Sequence, residues 1–290
     1  MQYHHHAPPP TVSVIVPALN EARNLPHVLG SMPDVDEVIL VDGGSEDDTV
    51  ETARRLMPGI RVVQQNRKGK GNALACGFAA AKGDIIVMID ADGSTDPGEI
   101  PRFVEALRRG ADFAKGTRFV ASGGSADITG IRRLGNKALS LFVNVLFRTR
   151  YSDLCYGYNA FWAAHLPIFG LDHTTPRPAS GVWLWGDGFE IETLLNLRVA
   201  RAGLRIEEVA SYEHRRIHGV SNLNAITDGL RVLRTIMREW PRRPIPNLEV
   251  EVAAAAATVA GRRHRVSASM RTRAAASGRK PARAGARGVS

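Results

Sequence analysis

Apolar residues fall along this chain in two rhythms. Short runs without alternation are Val12 to Pro17, Glu37 to Val41, Arg61 to Gln64, Asp84 to Ile89 and Asp112 to Lys115, and they predict strands. Helical spacing between them predicts helices over Ala22 to Ser31, Asp48 to Met57, Asn72 to Lys82 and Gly98 to Arg109. The strand patterns lack a polar face, so they belong to a sheet covered on both sides, and the rhythm is that of repeated βα units in an α/β fold. Thr95 and Asp96 are candidate caps ahead of Pro97, which fits a first helical turn.

The second half loses this regularity. It predicts a helix over Ile131 to Phe147, an aromatic strand over Tyr156 to Trp162 and a proline-rich loop near Asp172 to Ser180. A helix over Phe189 to Gly203, a strand over Arg205 to Tyr212 and an amphipathic helix over Leu223 to Trp240 follow. That last helix carries Leu223, Ile226, Leu230, Leu233, Ile236 and Met237 on one stripe, which by default packs on the sheet and alternatively lies on a bilayer. There is no internal repeat, and Ala253 to Ala257 can extend a helix.

Charge divides the chain more sharply than hydropathy does. The formal net charge of the 290 residues is +9, and residues 261 to 290 hold nine Arg or Lys with no Asp or Glu. The rest therefore sums to zero. We expect a disordered leader over 1 to 10, a folded domain over 11 to 240, and a linker with a basic, disordered tail over 241 to 290. Such a tail suits an anionic membrane surface or loose nucleic-acid contact, or has no role; no specific nucleic acid is expected. His4, His5 and His6 belong to the leader. Cys76 and Cys155 lack metal-ligand spacing and read as reduced thiols. No apolar run approaches 18 residues and no secretory leader is evident. The expectation is a cytoplasmic protein, at most peripheral on the inner face of the cell membrane.

The chemistry gathers where strands end. Asp84 to Ile89 runs into Asp90-Ala-Asp92, two carboxylates at the rim where an α/β sheet places its ligand crevice. Two hard oxygen donors there can hold a divalent cation against a diphosphate; a solvated turn is the plainer alternative. Pro17-Ala-Leu-Asn20-Glu21 follows the first strand and Asp42-Gly-Gly-Ser45-Glu-Asp47 the second, each able to meet a base or ribose, or simply to turn the chain. Asn66-Arg-Lys-Gly69-Lys70-Gly71 precedes a helix, so cations and exposed amides can face phosphate; its spacing is not that of a Walker loop.

In this order these segments, with Gly116-Thr-Arg118-Phe119 and Gly157-Tyr-Asn159-Ala-Phe161, resemble the inverting glycosyltransferases of family 2. Within that family the likeness is closest to polyprenyl-phosphate sugar transferases of the dolichyl-phosphate mannose synthase kind, and it covers roughly 11 to 240. The resemblance implies a GT-A fold with a mixed, mostly parallel sheet flanked by helices. It implies that Pro17, Asn20, Glu21, Asp42, Lys70 and Asp90 bind a nucleotide-sugar, and that Asp90 and Asp92 hold Mg2+ or Mn2+. It assigns phosphate-binding cations to Arg118 and to Arg133 in Arg133-Leu-Gly-Asn136, and it matches Gly188 to Glu192 and His214 to Leu223 to later motifs. Ser94, Asn159 and Asn222 stand where the family often has Gln, Arg or Lys, and Lys.

A metal-dependent inverting transfer of mannose or glucose to polyprenyl phosphate is the function this implies. A phosphate acceptor is already ionised and needs no base. A hydroxyl acceptor needs one, and Asp187 is the candidate, with Glu190 and Glu192 behind it, although capping the next helix is the plainer role for Asp187. A sugar-nucleotide pyrophosphorylase lacks its glycine-rich loop here. A non-catalytic nucleotide-sugar binder leaves the paired carboxylates unexplained.

Overall fold

The computed structural model describes residues 8–176, 184–219 and 225–240. Residues 1–7 of the expected leader, the end of the proline-rich loop, Asn222, Leu223 and the basic tail lie outside these residues. The first half runs β1 (Val12–Ala18), α1 (Leu25–Gly30), β2 (Glu37–Asp42), α2 (Thr49–Leu56), β3 (Arg61–Gln64), α3 (Lys70–Ala80), β4 (Ile85–Met88), α4 (Ile100–Arg108) and β5 (Phe113–Thr117). The second runs β6 (Gly124–Ser125), α5 (Gly130–Phe147), β7 (Asn159–Trp162), α6 (Leu166–Phe169), α7 (Ile191–Arg201), β8 (Ile206–Ala210), β9 (Tyr212–Glu213) and α8 (Ala225–Glu239).

Seven strands form one sheet in the order β3-β2-β1-β4-β7-β5-β8. Every pairing is parallel except those of β7, which is antiparallel to both β4 and β5. β6 and β9 make a small second sheet. The missing alternation of the strand patterns is explained by two apolar layers. Val12, Val14 and Val16 of β1 face Leu25, Val28 and Phe103 on one side. Ile15, between them, faces Leu74, Phe78 and Leu195 on the other.

The predicted boundaries shift where side chains or pairing intervene. Glu21 carbonyl accepts from the amides of Asn24 and Leu25, so residues 22 to 24 form a turn ahead of α1. Pro97–Glu99 is a separate 3-10 turn, capped by Asp96, whose carboxylate accepts from the Gly98 amide at 2.8 Å. The expected strand over Arg205 to Tyr212 splits at Ser211, because residues before it pair with β5 and those after it with β6. The aromatic strand shortens to Asn159–Trp162, and the helical segment Ala163–Phe169 was not foreseen. The last helix departs from its expected place on the sheet: it packs on α7 and α5, with Val232 and Ile236 turned inward and Leu230, Leu233 and Met237 exposed.

Contact between α3 and the sheet depends on glycine at position 77. A Cβ there would lie 2.4 Å from Ile15 Cγ2 and 2.9 Å from Val41 Cγ2, both on buried strands with no room to retreat. Gly77→Ala is expected to cost about 1–3 kcal/mol through overpacking, despite alanine's better helix propensity. Urea unfolding checks this: a lower midpoint at unchanged slope is expected, and an unchanged midpoint would refute the close packing.

Candidate functional site

Parallel β1, β2, β4, β5 and β8 deliver their carboxyl ends to one edge, with Ala18 level with Asp42 across the β1–β2 pair. The loops leaving that edge carry the predicted nucleoside residues. Asp42 is buried at 3% exposure, and its carboxylate accepts from the Gly44 amide at 3.1 Å and from the Ser45 hydroxyl at 2.6 Å. Burial pushes its pKa up, but bonds from Ser45, Gln64 and the loop amides outweigh this and hold it below the usual carboxylate range. Asn20 sits in the left-handed region at φ 57°, which asparagine tolerates. Its amide donates to Ser45 Oγ at 2.9 Å, and its Oδ1 accepts from the Glu46 amide at 2.8 Å. The two loops thereby brace each other beside half-buried Pro17.

Asp90 and Asp92 leave the end of β4, and each meets a cation. Lys70 Nζ lies 2.5 Å from Asp90 Oδ1 and 2.6 Å from Glu192 Oε1. Arg216 bridges Asp92 Oδ2 at 2.9 Å and Glu21 Oε1 at 3.1 Å. The other Asp92 oxygen accepts from the Ser94 amide at 2.9 Å and hydroxyl at 2.6 Å, so Ser94 orients this carboxylate. Desolvation raises the pKa of both Glu21 and Glu192 in spite of their cationic partners. For Lys70 desolvation acts downward, but Asp90 and Glu192 overcome it and hold the ammonium protonated well above its ordinary range.

Arg216 arrives on a strap, residues 214 to 218, that is pinned by backbone bonds. His214 amide donates to Ser94 carbonyl at 2.8 Å and Ile217 amide to Asp92 carbonyl at 3.3 Å. Buried Asn24 clamps His218 from both sides, accepting from its amide at 3.0 Å and donating to its carbonyl at 3.2 Å. Neither Arg216 nor the Lys70–Glu192 contact was singled out from the sequence, although both positions lay in segments matched to the family pattern.

Hard oxygen donors are the right chemistry for Mg2+ or Mn2+, and both carboxylates already draw side-chain cations to this rim. No cluster of three or more His, Cys, Asp or Glu suited to a metal occurs among the described residues. Asp90 and Asp92 supply two such donors and would leave most of a divalent cation's coordination shell to other ligands.

The predicted acceptor residues fare differently. Arg118 does not present a free cation as expected. It is buried, with Nε 2.7 Å from Asp153 Oδ2, Nη2 2.9 Å from Asp153 Oδ1, and Nη1 3.0 Å from both Glu213 oxygens. Asn136 of α5 donates to the same Asp153 at 3.0 Å. Burial alone would raise the Asp153 pKa, but Arg118 outweighs it and holds it down. Arg133 is exposed on α5, its guanidinium 5.4 Å from the centre of the Phe119 ring. Asp187 does not stand free as a base: Arg67 grips it at 2.7 Å through Nε and 2.9 Å through Nη2, both partners being buried. The ion pairs of Arg118 with Asp153 and Glu213 and of Arg67 with Asp187 join residues more than thirty positions apart, which local sequence pattern does not reveal.

With fold and site in view, comparison with known proteins is decisive about class. Residues 13–165 match the model of glycosyl transferase family 2. An undecaprenyl-phosphate mannosyltransferase of Micrococcus luteus is 33% identical over 208 residues, covering 68% of this chain and 81% of that protein. An uncharacterized glycosyltransferase of Mycobacterium tuberculosis is 33% identical over 198 residues, covering 68% and 83%. Among solved structures, glucosyl-3-phosphoglycerate synthase from M. tuberculosis, in complex with Mn2+, UDP-glucose and phosphoglyceric acid, aligns with a TM-score of 0.61 at 26% identity over 82% of each chain. The chain belongs to glycosyltransferase family 2, and its architecture is the GT-A fold.

The Arg118–Asp153 pair gives a direct test of the site's electrostatic support. Asp153→Ala strands a buried guanidinium and is expected to cost about 3–5 kcal/mol of stability. The carboxyl's folded pKa is depressed, so its contribution is complete above the unfolded value of about 4 and is lost as pH falls below it. Melting temperatures followed from pH 7 down to pH 3 should fall further for wild type than for Asp153→Asn. Parallel curves would remove the pair from this role.

Proposed function

We propose that the protein is an inverting hexosyltransferase that moves mannose or glucose from a nucleotide-sugar to a polyprenyl phosphate. The observation that carries this is the Asp90–Asp92 pair at the end of β4, flanked by Lys70 and Arg216 and adjoining the loops of Asn20, Glu21 and Asp42. Pro17, Asn20, Glu21 and Asp42 line the nucleoside pocket. Lys70 and Arg216 stand where they can take the charge of a diphosphate. Asp90 and Asp92 would hold Mg2+ or Mn2+, which when bound lends positive charge to the departing nucleoside diphosphate.

The lipid acceptor is supported by the M. luteus relative and by the state of Asp187. With its carboxylate committed to Arg67, the reading that needs a base at this position loses its candidate. An ionised phosphate needs no such base and attacks the anomeric carbon directly in a single displacement with inversion. Exposed Arg133 is the cation we assign to that phosphate. Arg118 is a positioning residue, tying the end of β5 to α5 through Asp153 and Asn136. No helix among the described residues is long and apolar enough to cross a membrane, so a lipid acceptor is met by peripheral contact, to which the basic tail adds.

A soluble phosphate-bearing acceptor is the second reading, favoured by the likeness to glucosyl-3-phosphoglycerate synthase. Release of nucleoside diphosphate from a panel of nucleotide-sugars separates the two. Stimulation by a short polyprenyl phosphate, abolished by EDTA and reduced about a hundredfold or more in Asp92→Asn, is expected. Stimulation by 3-phosphoglycerate instead would assign the second reading, and full activity in Asp92→Asn would overturn both.

A further inference from the structure

α5 and α8 lie side by side, and each is apolar on two faces. Inward, Val143, Val232 and Ile236 share one cluster with Leu154 and Leu197. Outward, α5 exposes Ile131, Leu134, Leu141, Phe142 and Val145, and the α8 segment exposes Leu230, Leu233, Met237 and Trp240. Nine of the thirteen exposed large apolar side chains among the described residues therefore belong to these two neighbours. At about 100° per residue, the outward positions of each helix fall on a single stripe roughly 80–100° wide. Scattered surface leucines need no explanation, but two concentrated stripes do.

The charge beside the stripes identifies what covers them. α5 contains no Asp or Glu, and it exposes Arg133 and Lys137, with Arg148 and Arg150 just beyond its end. α8 exposes Arg231, Arg234 and Arg238; its two carboxylates, Asp228 and Glu239, are buried, and Asp228 is already taken by Arg231 at 3.2 Å, which leaves Arg234 and Arg238 with no carboxylate of this helix exposed beside them. A second copy docked here through a two-fold contact would set Arg133, Lys137, Arg234 and Arg238 against themselves with no exposed carboxylate on either helix to meet them. The chain's own residues 261–290, with nine Arg or Lys and no acid, carry the same sign and are repelled. An anionic lipid surface satisfies both halves of the pattern, taking the stripes into its acyl boundary and the cations at its headgroups.

We propose that the outward faces of α5 and α8 are a docking surface for an anionic phospholipid bilayer. This deepens the lipid-acceptor reading and rests on it in one respect: Arg133, assigned above to the acceptor phosphate, lies on α5 between Ile131 and Leu134 and so sits at headgroup level when the stripe is embedded.

Sedimentation of the full chain with phosphatidylcholine vesicles, with and without about one-third phosphatidylglycerol, tests the surface. Wild type should pellet with the anionic vesicles and be released by salt. Leu141→Glu with Val145→Glu, and separately Leu233→Glu with Met237→Glu, should raise the lipid needed for half-binding about tenfold or more. Turnover on a short, water-soluble polyprenyl phosphate should be unchanged, which also reports that the variants fold. Absence of pelleting, or pelleting indifferent to both variants, overturns the proposal. So does a wild-type dimer that these variants break into monomers, since the face then belongs to a second copy. Binding that persists where no polyprenyl phosphate stimulates turnover supports the docking surface and sinks only the lipid-acceptor reading; stimulation without binding does the reverse.

Discussion

Two cations at the entrance to α3 hold the site together, because each reaches across the chain to a carboxylate near α7. Arg67 grips Asp187, and Lys70 joins Asp90 of the β4 edge to Glu192 of α7. A backbone bond between them, from the Gly71 amide to the Asp187 carbonyl at 2.8 Å, draws the two segments so close that a Cβ on Gly71 would strike the Gly186 carbonyl. Gly157 is confined in the same way by the carboxylate of Glu192. Charges this buried are costly unless each is matched in number and geometry, so the arrangement tolerates little drift. The regular half and the irregular half of the chain are thereby registered against one another at the edge where the loops converge.

A second ionic knot does the same on the far side of that edge. Arg118, Asp153 and Glu213 bring together the end of β5, the segment leading into β7, and β9, while Asn136 adds α5. Lys115, fully buried one turn of the strand away, is held by the carbonyls of Gly116 and Tyr156, and desolvation lowers its pKa. The helix α5 is thus tied to the residue that follows β5 through Asp153 as well as through the chain.

Much of this was legible in the amino-acid order, and the boundary of legibility is physical. Val12–Ala18 and Ile85–Met88 betray two-sided burial because a strand covered on both faces cannot alternate, and that information is local. Asp90 and Asp92 are legible for the same reason, since the end of such a strand is where a carboxylate meets solvent. Pairings such as Arg67 with Asp187 or Arg216 with Asp92 are not local. Arg118 looks like a surface cation from its neighbours in sequence, and only the fold reveals two carboxylates closing on it. Likewise the stripe on α8 announces an amphipathic helix without saying that α7 and α5, rather than the sheet, receive its inner side. Nothing in the aromatic run before Trp162 announces the direction in which β7 crosses its neighbours.

That direction has a consequence for shape. β4 and β5 both run toward the loop edge, but β7 lies between them and runs away from it, starting at Asn159, level with Met88 and Lys115. The two strand ends that deliver Asp90 and Arg118 are therefore not adjacent but separated by two strand spacings, about 9–10 Å. An adjacent pair would leave about half that span and bring the two ionic knots into contact. The reversed strand acts as a spacer that holds the carboxylate pair after β4 and the Arg118 knot after β5 on separate parts of the same edge.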